Sequence, residues 1–167
     1  MKKILFICWG NICRSPMAEF VMKDLVSRAG LADQFEIESA ATSAEEVWGD
    51  RGNPVYPPAR KKLAEHGIGV RGNELGVADK CARKTVRTDY GKYDMIIGME
   101  QLNMRYMQRI YGGDPDGKLS LLLDYTDRPG DVADPWYTRD FDTTWDDIYE
   151  GCQGLLAYLT EKGEERI

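Results

Sequence analysis

Four short apolar runs, KKILFIC (2–8), FEIESAAT (35–42), YDMIIGM (93–99) and KLSLLL (118–123), alternate along the chain with stretches of helical character. That alternation is the strongest constraint in the sequence, because strands joined through helices pair in parallel and bury both faces of their sheet. The first run is aliphatic and stops at a turn, as a strand covered on both sides should. SPMAEFVMKDLVSRAG (15–30) then reads as a helix, with Ser15 as its cap, Pro16 in its first position and Gly30 as its stop. Met17, Val21 and Leu25 recur every four residues and form its core stripe. PPARKKLAEHGI (57–68) is a second helix, stopped at Gly67, and a third follows over roughly 101–110. A long Asp/Pro/Gly-rich loop after the fourth run leads to a closing helix over 143–162, where Asp146 and Asp147 suit the positive end of the helix dipole. The expected fold is one α/β domain over 1–167, three layers deep, with a four-stranded parallel sheet between helices.

In such folds ligands bind beyond the carboxyl ends of the strands. The first of those places holds CWGNICRS (8–15). Gly10 and Asn11 tolerate left-handed backbone angles, so the loop can curl with its N–H groups turned inward. The helix that follows adds its positive end, and Arg14 supplies a planar fork matched to two phosphoryl oxygens. Together these features suit a tetrahedral dianion. The same field acts on Cys8. An ordinary thiol is only a few per cent ionised at neutral pH, and a helix N-terminus beside a cation shifts that balance toward thiolate. The Ser15 hydroxyl can donate a further hydrogen bond. A thiolate beneath a bound phosphoryl group is a nucleophile aimed at phosphorus.

Cys-x5-Arg by itself recurs by chance. CARKTVR sets Cys81 six residues before Arg87 without a glycine or a preceding aliphatic strand, and it reads as a solvated basic face. The 28 acidic and 22 basic residues give a net charge of −6, which argues against a general nucleic-acid binder. Lys2 and Lys3 before an apolar run imitate a signal peptide, but the run is too short and ends without a small-residue cleavage site. No segment has the length of a membrane span. The four cysteines do not form a secreted disulfide pattern, and a cytoplasmic protein is expected.

CWGNICRSPMAE resembles the signature of the low-molecular-weight protein tyrosine phosphatases, in which Cys-x-Gly-Asn-x-Cys-Arg-Ser-Pro forms the phosphate loop. The resemblance extends through SAATS (39–43), GNP (52–54), HGI (66–68), YDMIIGME (93–100) and DPW (134–136). It implies the family's four-stranded Rossmann-like fold and hydrolysis of phosphotyrosine and small aryl phosphates through a phosphocysteine. It also implies a phosphate-binding set of Trp9, Gly10, Asn11, Ile12, Cys13, Arg14 and Ser15, with no metal or organic cofactor.

Expelling the leaving oxygen requires a proton donor. The single histidine, His66, stands at a helix end, so a carboxylic acid must serve. Asp114 precedes the fourth strand, at the wrong end of the sheet. Asp134 follows that strand on the loop side, and the family's Asp-Pro matches it. The expected catalytic set is therefore Cys8, Arg14 and Asp134. Trp9, Trp48, Trp136 and Tyr137 are candidate walls for a pocket deep enough for a phenyl ring. Ile12 is similar to the tyrosine-selective members, where the related arginine phosphatases carry threonine. Cys13 is placed to form a reversible disulfide with Cys8. A phosphotyrosine protein or peptide is the expected partner, with inorganic phosphate and other oxyanions as product and inhibitors. The alternatives are a protein arginine phosphatase, a thioredoxin-coupled arsenate reductase and a non-catalytic phosphate-binding module.

Overall fold

The computed structural model describes residues 1–165, with side chains through Glu161. Its strands are β1 (Lys2–Cys8), β2 (Phe35–Ala41), β3 (Val47–Trp48), β4 (Arg51–Gly52), β5 (Met95–Gly98) and β6 (Leu119–Leu121). Its α-helices are α1 (Arg14–Arg28), α2 (Pro57–Glu65), α3 (Asp89–Lys92), α4 (Gln101–Tyr111), α5 (Pro135–Thr138) and α6 (Phe141–Glu165). Four strands form one parallel sheet in the order β2-β1-β5-β6, and β3 and β4 pair as a small antiparallel hairpin.

The sheet is sandwiched because β1 has no polar face to show water: Ile4, Leu5, Phe6 and Ile7 are all fully buried. Phe6 joins Met17, Phe20, Val21, Leu122 and Ile148 in the larger core, under α1 and α6. Leu5 and Ile7 face the other way, into a smaller core with Tyr93, Ile96, Met107 and Tyr111 under α4. The strand order reverses between β1 and β5, so the turns after these two strands border one crevice. The turn after β1 is the CWGNICRS segment.

Several elements depart from the expected pattern. α1 starts at Arg14, one residue early, and no side chain caps it. Ser15 lies inside the first turn, and Pro16 is the third helical residue rather than the first. Gly30, at φ 73°, follows the helix as its stop. Met17 and Val21 are buried and Leu25 only partly, while Ala18, Phe20, Met22 and Val26 are buried too. α1 lies between the sheet and α6, so it has no single stripe. The closing helix begins at Phe141, which moves Asp146 and Asp147 out of its first turn. Asp147 does something other than complement a dipole: it is buried, pairs with Arg128 at 2.7 Å and accepts the Ala133 N–H at 3.0 Å. Among the described residues no helix is long and apolar enough to cross a membrane.

α6 packs so closely on the 3₁₀ turn Leu122–Tyr125 that a Cβ on Gly154 would lie 2.0 Å from the Tyr125 carbonyl oxygen. Alanine is ordinarily favoured over glycine inside a helix by about 1 kcal/mol. Gly154→Ala is expected to reverse that sign and destabilise the protein by about 1–3 kcal/mol, as overpacking against a fixed backbone does. Urea unfolding of the variant checks it.

Candidate active site

Cys8 is the last residue of β1, and two polar groups lie within hydrogen-bond distance of its sulfur. Ser15 Oγ lies 3.0 Å from Cys8 Sγ, and the Asn11 N–H points at the same sulfur from 3.3 Å. Both contacts suit a thiolate, which accepts without needing a proton of its own. Ser15 reaches the sulfur because it sits inside the first turn of α1, which also explains why it caps nothing.

The loop curls at one residue. Asn11 adopts φ 60°, an uncommon left-handed angle that a short polar side chain tolerates when it is hydrogen-bonded. Its amide donates to Ser15 Oγ at 2.8 Å and to Ser39 Oγ at 2.9 Å, and its oxygen accepts the Arg83 N–H at 3.2 Å. Gly10 does not share the left-handed conformation expected of it. It matters for space: a Cβ there would stand 3.2 Å from Glu46 Cγ.

Arg14 is 3% exposed, and its guanidinium is clasped on several sides. Nη1 and Nη2 donate to the two Glu100 oxygens at 3.2 and 3.3 Å, Nη1 also donates to the Val132 carbonyl at 3.2 Å, and Nη2 reaches Asp134 Oδ2 at 3.4 Å. Burial pulls its pKa down, but the Glu100 hydrogen bonds and the nearby anions outweigh it and leave the value raised. The fork therefore stays charged and fixed in plane.

Sequence reasoning missed Glu100. It follows β5 at the mouth of the crevice, and Asn103 holds it by accepting the Met99 and Glu100 N–H groups at 2.9 and 3.0 Å. A carboxylate just past the end of the third predicted strand was the available signal.

Asp134 stands at the N-terminus of α5 and accepts the Trp136 N–H at 2.9 Å through Oδ1. The preceding residues are tied down one after another. Asp131 accepts the Gln101 N–H, Val132 donates to the Met99 carbonyl, and Ala133 is held by Asp147 and by the Thr144 hydroxyl. Asp114 lies elsewhere, gathering Tyr90 Oη, the Lys118 N–H and the Leu119 N–H in the turn before β6. His66 ends α2 with its ring stacked on Trp145 at 3.8 Å.

The candidate walls are brought in unequally. Trp9, 39% exposed, rises from the loop between Glu45, which accepts its indole N–H, and the edge of Tyr106. Trp136 packs on Tyr56 with ring centroids 5.4 Å apart, and the Tyr56 N–H is bonded to the Ile12 carbonyl. Tyr56 is thus a wall that the sequence reading did not name. Tyr137 is 84% exposed on α5. Trp48 is 63% exposed on the β3–β4 hairpin, and the segment leading into that hairpin meets the loop through Ser43 and Glu45, both bonded to Trp9. The decoy cysteine, Cys81, is exposed on an isolated bridge to Pro54.

Comparison with known proteins points to one family. A profile of the family described as "Low molecular weight phosphotyrosine protein phosphatase" matches residues 3–165. The low molecular weight protein-tyrosine-phosphatase YfkJ of Bacillus subtilis is 32% identical over 97% of this chain and 98% of its own. The crystal structure of YfkJ superposes with a TM-score of 0.85, covering 97% of this chain and 96% of that one. The crystal structure of SP-PTP, a low molecular weight protein tyrosine phosphatase from Streptococcus pyogenes, has a TM-score of 0.80 at 40% identity over 95% and 93% of the two chains. A rat low molecular weight phosphotyrosine protein phosphatase is 34% identical over 96% of this chain and 95% of its own.

The four thiols differ in environment. Burial, reinforced by the Cys8 charge, pushes the Cys13 thiol up to about 12, and burial alone raises Cys152. A raised thiol pKa leaves the sulfur protonated through neutral pH. Iodoacetamide at pH 7 is therefore expected to modify Cys8 and exposed Cys81 while sparing Cys13 and Cys152, as peptide mass spectrometry of the briefly labelled protein will read.

Proposed function

The chain belongs to the low molecular weight phosphotyrosine protein phosphatase family, and from that premise we propose how its residues divide the chemistry. It is a cysteine-dependent protein tyrosine phosphatase. The assignment of roles rests on one observation: the Arg14 fork lies beside both Cys8 and the Asp134 carboxylate, although Asp134 is 120 positions away along the chain.

Phosphotyrosine enters between Trp9 on one side and Tyr56 and Trp136 on the other, with the phosphoryl group seated over the 8–15 loop. Cys8 attacks phosphorus along the line of the departing phenolic oxygen. Asp134 gives that oxygen its proton, so that tyrosine leaves neutral and a phosphocysteine remains. Asp134, now a carboxylate, takes a proton from an incoming water. The water oxygen bonds to phosphorus, the S–P bond breaks, and inorganic phosphate and the Cys8 thiolate are released. The Arg14 fork and the loop N–H groups hold the non-bridging oxygens through both steps, which is where charge concentrates.

Arg14 is held by Glu100 and Asp134 through Nη1 and Nη2. The entering phosphoryl group takes the place of the 3.4 Å Asp134 contact, which frees that carboxyl group for the leaving oxygen. Cys13, beside the nucleophile on the same loop, is assigned as its disulfide partner under oxidation. Ile12 and the aromatic walls support phosphotyrosine over phosphoarginine.

Cys8→Ser is expected to lose turnover by more than about 10³-fold, the scale for removal of a nucleophile. Asp134→Ala is expected to cost about 10²–10⁴-fold, as general acids do. The loss should be smaller for aryl phosphates with acidic phenols, which need no proton to leave. Steady-state rates on p-nitrophenyl phosphate, phenyl phosphate, and phosphotyrosine and phosphoarginine peptides test all three assignments. Faster turnover of the phosphoarginine peptide would reassign the substrate, and an active Cys8→Ser would remove the nucleophile.

A further inference from the structure

Ala133 immediately precedes Asp134, and α6 holds both of its backbone polar groups. Asp147 Oδ2 accepts the Ala133 N–H at 3.0 Å, and the Thr144 hydroxyl donates to the Ala133 carbonyl at 2.9 Å. Thr144 and Asp147 stand at i and i+3 on that helix and so share one face. Thr144 is fully buried and Asp147 is 6% exposed. The other Asp147 oxygen accepts from Arg128 Nη2 at 2.7 Å, so one carboxylate grips the 128–133 stretch at both of its ends. Arg128 is steadied in turn by Glu150, whose Oε2 lies 2.6 Å from Nε, and its backbone N–H donates to Thr126 Oγ1 at 3.2 Å. Asp146, its neighbour in sequence, is exposed.

This clamp decides where Asp134 stands once substrate is present. In this structure the Asp134 carboxylate lies 3.4 Å from Arg14 Nη2 and accepts the Trp136 N–H at 2.9 Å. In the proposed mechanism the phosphoryl group takes the first of these contacts. The second is internal to α5, a single turn that moves with Asp134 and cannot fix it against the loop after β1. The reach from Asp134 to the leaving oxygen is then set by the main chain before it, and so by the bonds at Ala133. Proton transfer needs that reach held at hydrogen-bond distance. Misplacement by about 1 Å costs on the order of 10²-fold. The clamp also requires a carboxylate, because its two oxygens face two donors. An asparagine of the same shape accepts on one atom only, and its NH₂ would meet either Arg128 or Ala133 donor to donor.

We propose that Asp147 is a positioning residue for the general acid: together with Arg128 and Thr144 it fixes Ala133, so that Asp134 stays at the leaving oxygen while Arg14 serves the phosphoryl group. The inference rests on the reading of Asp134 as that acid.

The test compares kcat/KM for phenyl phosphate with kcat/KM for p-nitrophenyl phosphate, whose more acidic phenol needs the acid less. The proteins are the parent, Asp147→Asn, Arg128→Gln, Asp134→Ala and the double variant Asp134→Ala/Asp147→Asn. Asp147→Asn is expected to lower kcat/KM for phenyl phosphate by about 10–10²-fold, with a several-fold smaller loss for p-nitrophenyl phosphate. Arg128→Gln frees only one end of the stretch and should move the ratio of the two rates the same way by less. It carries the test if Asp147→Asn does not fold. In the Asp134→Ala background, Asp147→Asn should cost nothing further, because it acts through the carboxyl group already removed. A merely loosened fold would slow both substrates alike and would add its loss to that of Asp134→Ala. Either of those results overturns the proposal, as does a parental ratio in the variant that carries the test. If Asp134→Ala itself keeps the parental ratio, the acid assignment in the proposed function falls. If Asp134→Ala changes the ratio and Asp147→Asn does not, only this inference falls.

Discussion

A guanidinium removed from water must have its donors matched, and Arg14 has them matched by three separate parts of the chain. Glu100 comes from the end of β5, the Val132 carbonyl from the loop after β6, and Asp134 from the start of α5. Burying a charge without such partners costs several kcal/mol, so these contacts form together or the arginine is not buried at all. The crevice is consequently assembled by the same interaction that the phosphoryl group later exploits. Its seat exists before substrate arrives, which is the condition for electrostatic stabilisation without reorganisation.

The arginine does not act alone on the anion it faces. Two carboxylates share its charge, so the local field owes much to oriented donors: the mouth of α1, the Asn11 N–H and the Ser15 hydroxyl. Dipoles of this kind help only if they cannot rotate away. Asn11 is held by Ser39 and by the Arg83 N–H on the β2 side of the loop, and the segment before Asp134 is tied at 131–133 on the other. The anion seat is thus gripped from two flanks that share no residues.

Much of the architecture was legible in sequence. KKILFIC matches β1 and FEIESAAT runs one residue past β2, because an aliphatic run and an alternating one are both signals written within a few neighbouring positions. YDMIIGM overran β5 because Tyr93 is buried for its ring, not paired as a strand residue. Thr143 was a late start for α6, since Phe141 begins the helix by packing near Tyr56, a tertiary contact. Gly10 has the right position for a different reason, and Ser15 meets one of its two expectations, lying against the Cys8 sulfur but capping nothing. Local preference suggests a left-handed glycine and a capping serine, whereas the packed loop needs room beside Glu46 and a donor beneath sulfur.

The sequence by itself determined the order of strands and helices, and with it the place of Cys8 at the end of a central strand beside a helix mouth. Those features are local: periodicity, turn residues and the spacing of Cys8 to Arg14 encode them within a few positions. Tertiary structure alone decided that Glu100 and Asp134 clasp Arg14, that Asp147 holds the loop behind Asp134, and that Lys80 turns inward to Glu19. Each of these joins residues separated by more than a dozen positions. A carboxylate has no sequence periodicity that announces its partner. Only the crossing of chain segments, and the requirement that a buried charge find an opposite one, selects it.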